Sequence, residues 1–209
     1  QACIGAELDG TLSRLASGER GTVLIVACDR SQAKVALSYV RGLLEDSPIL
    51  AAMIQSEKGE SVTLTNGVSI EVATNSYRSV RGRTLIACVM DEAAFFRSEE
   101  SVSPDREVYR AILPSLATSN GLMVAISSPY AQQGLLYDKW KQHYAQNSDD
   151  TLVVQAASTT LNPTIPASIV QEAEADDPAS ARAEWHGEFR ADVEGLLERS
   201  VIEAAKRRE

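Results

Sequence analysis

The segment Thr84-Leu-Ile-Ala-Cys-Val-Met-Asp-Glu92 decides the fold prediction. Residues 84–90 are almost entirely apolar and too few for a helix of ordinary length, so they predict a strand buried on both faces. Such strands are typical of parallel sheets, which bind their ligands in a crevice beyond the carboxyl ends of the strands. Because this strand ends in Asp91 and Glu92, we expect both acids to face that crevice.

Two further segments, residues 22–28 and 122–126, have the same apolar character and also predict buried strands. Segments whose apolar residues recur at helical spacing lie between these strands or after them. The predicted helices cover residues 31–47, 104–113 and 132–144. Strands that alternate with helices predict an α/β protein with a mostly parallel, doubly wound sheet.

The remaining patterns place elements around this sheet. Residues 62–65 and 68–72 alternate apolar with polar around Asn66-Gly67, which predicts an antiparallel hairpin at a sheet edge. Residues 151–157 predict a last strand, and residues 166–175 and 178–189 predict two helices.

Composition limits the classes of function. The formal charge of −9 argues against a surface that grips nucleic acid through bulk electrostatics, so any DNA contact must be local. Three widely spaced cysteines predict reduced thiols, and two histidines are too few for a His/Cys metal cluster. The sequence has no apolar run near the roughly 20 residues that cross a bilayer, and no secretory signal pattern, so we expect a soluble, cytoplasmic protein without a membrane partner.

Asp91 and Glu92 are the residues best suited to chemistry. An aspartate at such a strand end can hold Mg²⁺, and the next glutamate can deprotonate the water that attacks the γ-phosphate of ATP. This is the Walker B pattern with a catalytic glutamate. Apolar strands also end in acids that only cap the next helix, so the pattern alone leaves both interpretations open.

Two more groups fit a phosphate site. Ser127 and Ser128 follow the next apolar strand in sequence, where hydroxyls can contact a phosphate or its attacking water, although Ser-Ser-Pro is also an ordinary turn. Arg81 lies in Ser79-Val-Arg-Gly-Arg83, before the Asp-Glu strand. It can act as an arginine finger within its own subunit or toward a neighbour, or be part of a basic turn.

Together these motifs resemble the ATPase domain of the phage terminase large subunit. The resemblance is carried by Arg81-Gly82, by Val89-Met-Asp-Glu-Ala93 as Walker B, and by Ile126-Ser-Ser-Pro129 as the coupling motif, and it extends over residues 22–190. It implies a P-loop NTPase fold of the additional-strand, catalytic-glutamate type.

The resemblance also implies a function. Asp91 would bind Mg·ATP, Glu92 would activate water, and Ser127 and Ser128 would help couple hydrolysis to movement of double-stranded DNA into a capsid. The implied partners are DNA, a portal protein, a small terminase subunit and further copies in a ring.

The sequence departs from that family in one respect that matters for ATP. It contains no G-x-x-x-x-G-K-[ST], and its five lysines all lie outside such a setting. We therefore predict a domain over residues 1–190 that lacks its phosphate-binding loop and is inactive alone. Residues 191–209 are predicted to be a linker toward a nuclease domain outside this chain.

Two other classes of function remain open at this stage. A helicase-like translocase also places Asp-Glu after a buried strand, but it would continue into a second similar α/β domain. A non-enzymatic α/β scaffold would use the same acids as helix caps. A crevice that collects Asp91, Glu92 and Ser127 distinguishes a nucleotide site from a scaffold.

Overall fold

The fold is taken from a computed structural model that describes residues 3, 10–76, 78, 80–97, 101, 103–148 and 150–191. The chain divides into two compact units, Gln1–Ile126 and Ser127–Glu209. The predicted linker, residues 191–209, lies almost wholly outside the described residues.

The first unit is built on a mixed sheet. Within the described residues its strands are β1 (Gly21–Ala27), β2 (Ile54–Lys58), β3 (Ser61–Leu64), β4 (Ser69–Thr74), β5 (Thr84–Asp91) and β6 (Leu122–Ile126). They lie side by side in the order β2-β3-β4-β1-β5-β6. The pairs β4–β1, β1–β5 and β5–β6 are parallel, whereas β2–β3 and β3–β4 are antiparallel. The predicted α/β class, with a mostly parallel sheet and antiparallel pairing at one edge, is confirmed.

Helices cover this sheet. They are α1 (Arg30–Glu45), α2 (Pro48–Ala51) and α3 (Pro104–Ala117). Helix α1 begins where Asp29, in an extended conformation, accepts hydrogen bonds from the backbone amides of Ser31 and Gln32. Ala33 and Leu37 of α1 are buried in one core cluster with residues of β1, β3 and β4. Helix α3 packs against β5 and buries Val108, Ile112 and Leu116.

The second unit contains short helices. They are α4 (Gly134–His143), α5 (Ser158–Leu161), α6 (Ala167–Asp176) and α7 (Pro178–Glu184). Trp140 stacks on Tyr137 and Tyr144 and also contacts Phe189. Its indole N–H donates to the Gln155 side-chain oxygen over 2.8 Å, and the Gln155 amide donates to the carbonyl of Gly187. This aromatic cluster ties the end of the second unit back to α4.

One sequence prediction about strands is wrong, and one strand was not predicted. Residues 151–157 form no strand, because this apolar run finds no neighbouring strand to pair with and Gln155 instead joins the aromatic cluster. The sequence also gave no signal for β2, which is mostly polar and sits at the outer edge of the sheet.

The prediction that β6 is buried is also wrong. Leu122, Val124 and Ile126 are 61%, 37% and 49% exposed. Among the described residues no strand pairs with the second edge of β6. Its apolar sequence is therefore that of an interior strand, although it lies at an edge.

No helix in the described part of the chain is both long and apolar enough to cross a membrane.

Candidate functional site

Asp91 is the last residue of β5, and it pairs in register with Ile126, the last residue of β6. The two parallel strands thus end at the same level of the sheet. Asp91 and Glu92 are half-buried rather than turned into the core. The strand that ends in Asp91 is therefore the neighbour of the strand that precedes Ser127.

Ser127 and Ser128 follow Ile126 directly in the chain and open the second unit. Both are half-buried, and the Ser127 hydroxyl donates to the Ser128 carbonyl over 2.9 Å. Ser127 is thus the residue that follows Ile126, the register partner of Asp91. The contact of Ser127 and Ser128 with a phosphate stays a prediction.

Glu92 adopts an unusual backbone conformation. Its φ of 55° and ψ of 45° lie in the left-handed region, which costs free energy for a residue with a side chain. The following residues, Ala93–Phe95, form a single 3₁₀ turn in which the Phe95 amide donates to the Glu92 carbonyl over 2.9 Å. The chain thus reverses sharply at the residue that the sequence assigns to catalysis.

The neighbouring strand β1 adds a thiol and another acid to this edge. The Cys28 Sγ donates to the Glu92 carbonyl over 3.4 Å. Burial, reinforced by the carboxylates of Glu92, Asp29 and Asp91, raises the pKa of Cys28 to about 11, and Arg97 opposes that shift. Cys28 therefore keeps its proton at neutral pH.

The Asp29 carboxylate accepts hydrogen bonds from the first residues of α1. Hydrogen bonds from the Gln32 amide and from the Ser31 hydroxyl and amide lower the pKa of its carboxyl group. These bonds make it the amino-terminal cap of α1. Asp91 and Glu92 are therefore the better candidates for ligand chemistry.

The arginines lie at the opposite end of β5. Arg83 precedes Thr84, and its Nε donates to Glu71 of β4 over 2.9 Å, while the Ser69 hydroxyl donates to the other Glu71 oxygen. Arg81 is exposed and is followed by Gly82 in a left-handed turn with φ of 78°. The eight residues of β5 span about 23 Å at the rise of an extended strand. An arginine side chain at position 81 cannot bridge that length to Asp91 of its own copy.

The donor set suits magnesium more than a metal held by protein alone. No group of three or more His, Cys, Asp or Glu residues among those described is arranged to hold a metal ion. Magnesium usually takes only one or two carboxylates and completes its shell with substrate phosphates and water. A half-buried aspartate at the end of a parallel strand fits that role.

Sequence reasoning missed Cys28 and the left-handed conformation of Glu92. The signal for Cys28 was present, because residues 22–28 and 84–90 both predict parallel strands and neighbouring strand ends lie together. The conformation of Glu92 had no such signal, since residues other than glycine uncommonly adopt it and glutamate is not among those enriched there.

No family model and no curated protein matches the sequence. Solved structures do match. The ATPase domain of the large terminase of Thermus phage P74-26 aligns over 88% of this chain and 82% of its own, with a TM-score of 0.64 and 19% identity. A variant of that domain with one arginine replaced by alanine gives a TM-score of 0.66 at 17% identity, with the same coverage.

The large terminase of bacteriophage HK97 aligns over 85% of this chain with a TM-score of 0.63 and 16% identity. This chain spans 42% of that protein. At these identities the comparison establishes the fold: the chain folds like the ATPase domain of phage large terminases.

Proposed function

We propose that this chain is the greater part of the ATP-hydrolysing motor domain of a viral DNA-packaging terminase large subunit. The observation that supports the proposal best is the register pairing of Asp91 with Ile126 at the carboxyl ends of two parallel strands. The shared fold with large-terminase ATPase domains supports it independently. A nucleotide-free scaffold has no need for a strained glutamate at that position.

In the proposed reaction, Asp91 would hold Mg²⁺. When bound, the ion would supply positive charge that stabilises the phosphates of ATP as charge develops on them. Glu92 accepts a proton from the attacking water while the water oxygen bonds to the γ-phosphorus and the bond to ADP breaks. Glu92 is thus the general base, and the proton ends on its carboxylate.

We assign the hydroxyls of Ser127 and Ser128 to the γ-phosphate or its attacking water. Their position in the chain supports this, because they leave the strand that pairs with β5 and enter the second unit. A change at the phosphate can pass through them into that unit. This is the proposed link between hydrolysis and movement of double-stranded DNA.

Arg81 is proposed to act on the nucleotide of a neighbouring copy. The length of β5 separates it from Asp91 in its own copy, and it is exposed at the amino end of the strand. A ring of copies around DNA would bring one copy's amino edge to the next copy's carboxyl edge. The proposed protein works in the host cytoplasm with a portal protein and a small terminase subunit.

The exposed face of β6 is the proposed place for the phosphate-binding segment. Leu122 and Val124 pair in register with Ala87 and Val89, and through β5 they share the face of β1 on which α1 packs. Another parallel strand beside β6, followed by a covering helix, would bury this apolar surface. A phosphate-binding loop that joined this strand to its helix would lie at the carboxyl end of the sheet, level with Asp91.

Helix α1 supports the same placement. Arg30 and Arg41 on one flank pair with Glu60 and Glu57 of the β2–β3 hairpin, over 2.8 and 2.9 Å. The opposite flank therefore faces the side of β5 and β6. Its exposed residues are apolar at helical spacing: Val35, Tyr39 and Leu43. A helix lying there would contact α1 and β6 together.

Two substitutions in the full-length protein test the proposal. Glu92→Gln should leave ATP affinity nearly intact while abolishing turnover, because the base acts only as the reaction proceeds. Asp91→Asn should lower turnover and also weaken its dependence on Mg²⁺. ATP affinity and steady-state turnover are measured side by side for the wild type and both variants. A Glu92→Gln protein that still hydrolysed ATP and translocated DNA normally would remove Glu92 from the mechanism.

A further inference from the structure

We propose that Cys28 is a positioning residue for Glu92. Its thiol donates to the Glu92 carbonyl and holds the backbone of Glu92 in the left-handed conformation that sets the direction of the carboxylate. The inference rests on the proposed role of Glu92 in hydrolysis, and it adds a residue that the sequence motifs do not include.

The geometry of the two central strands supports this role. Strands β1 and β5 run parallel, and the last registered pair is Val26 with Met90. Continuing that register by two residues places Cys28 opposite Glu92, where the Sγ lies 3.4 Å from the Glu92 carbonyl oxygen. The contact therefore follows from the pairing of the strands rather than from a flexible surface loop.

The Glu92 carbonyl is held from two directions. The Phe95 amide donates to it over 2.9 Å from within its own turn, and Cys28 donates to it from the neighbouring strand. A turn hydrogen bond alone leaves the peptide group free to tilt. The second donor fixes that tilt relative to β1, and so relative to the sheet that carries Asp91.

The conformation needs such support. Among the described residues other than glycine, positive φ values occur at Glu92, Asn120 and Ala145. Asparagine tolerates this region through its short polar side chain, whereas glutamate has no such advantage. Strained backbone of this kind persists where the surroundings over-determine it and occurs often at active sites. The Cys28 thiol is one of the groups that hold the Glu92 backbone in this conformation.

Cys88 provides a matched control. It is the same residue type and is fully buried within β5, three residues before Asp91. Substitution of Cys88 by alanine also removes a thiol, but one that makes no hydrogen bond to the Glu92 carbonyl. A general effect of losing a buried thiol should appear in both variants, but an effect through Glu92 should appear only at position 28.

The test uses the full-length protein with Cys28→Ala, Cys28→Ser and Cys88→Ala, each alone and combined with Glu92→Gln. A weak hydrogen bond is at stake, so Cys28→Ala should lower kcat about two- to fivefold with KM for ATP unchanged. Cys28→Ser, which keeps a donor, should restore at least half of the wild-type kcat. Cys88→Ala should keep kcat while lowering the melting temperature.

Combination with Glu92→Gln shows whether Cys28 acts through Glu92. Steady-state turnover is abolished in that background, so the slow residual hydrolysis is followed as single-turnover conversion of bound ATP at high enzyme concentration. Cys28→Ala should cause no further loss in that rate, because the group that it positions is already gone. A crystal structure of Cys28→Ala should show Glu92 with an altered φ or a rotated carbonyl. An equal loss from Cys28→Ala in both backgrounds, or an unchanged Glu92 backbone, would overturn the proposal.

The outcomes separate this inference from the proposed function. If wild-type turnover does not depend on Glu92, the proposed function fails and the inference fails with it. If turnover depends on Glu92 but Cys28→Ala matches the wild type, or Cys28→Ser fails to restore kcat, only the role of Cys28 is wrong.

Discussion

The two ends of β5 carry side chains of opposite charge. At its carboxyl end, Asp91 and Glu92 are half-buried beside Cys28. At its amino end, Arg83 is tied to Glu71, while Arg81 is exposed in a turn. Residues that lie about ten positions apart in the sequence are thus separated by the full length of a strand. The acids and Arg81 can therefore meet at one phosphate only if they come from different copies.

The largest expected effect concerns Arg81. In the full-length protein, Arg81→Ala should lower turnover by about 10³ or more if it is a finger toward a neighbouring copy, because such an arginine stabilises charge in the transition state. The melting temperature should change little, since surface substitutions of this kind have small effects on stability. Steady-state hydrolysis and thermal unfolding are measured on the same samples.

Mixing the two defective variants distinguishes a neighbour's arginine from a basic turn. Arg81→Ala copies keep Glu92, and Glu92→Gln copies keep Arg81. A mixture should regain part of the lost turnover, because some interfaces then combine an intact arginine with an intact glutamate. An Arg81→Ala protein with wild-type turnover would show that Arg81 is only a turn residue.

A smaller effect, on stability, is expected from Glu92→Gly. Glycine adopts the left-handed conformation without steric cost, so the substitution should stabilise the fold by about 1 kcal/mol while removing the catalytic carboxylate. Thermal unfolding should show a melting temperature a few degrees higher. Glu92→Gln, which keeps the side-chain volume and the strain, is the control and should not show this increase. A Glu92→Gly protein that melts lower would contradict the account of strain at this residue.

The smallest effect is expected at the other arginine. Arg83→Ala removes a partly exposed ion pair with Glu71 and should lower stability by at most about 1 kcal/mol, with turnover nearly unchanged. Arg83→Lys should restore part of the lost stability, because it keeps the charge. Denaturant unfolding and ATP turnover measure the two properties. A large loss of turnover in Arg83→Ala would mean that the amino end of β5 acts on the nucleotide through Arg83 rather than through Arg81.

Local patterns predicted the parts of the fold that depend on local chemistry. The apolar strands β1, β5 and β6 and the hairpin around Asn66-Gly67 were all recoverable, because each carries its own signal. Strand β2 was missed because its residues are mostly polar and exposed. The strand prediction for residues 151–157 was wrong because an apolar run forms a strand only where it can pair with a neighbouring strand.

The sequence predicted which strand ends carry the site residues, but not how those ends are aligned. Both acids could be placed at a crevice from residues 84–92 alone, but their level relative to Ile126 depends on inter-strand register, which the sequence does not encode locally. The distance of Arg81 from the acids follows from the strand length, and it rules out a finger within the same copy. The contact between Cys28 and Glu92 requires both the register and the sharp turn at Glu92.

Metal-directed cleavage tests the central claim, that the carboxyl end of β5 is the hydrolysis site, most directly. Fe²⁺ replaces Mg²⁺ in the full-length protein with bound ATP, and locally generated hydroxyl radicals cut the backbone near the metal. The account predicts ATP-dependent cuts close to Asp91 and Ile126, lost in Asp91→Asn, and none near Arg81 within an isolated copy. Cuts that cluster around Arg81 in that isolated copy, or that persist unchanged in Asp91→Asn, would contradict it.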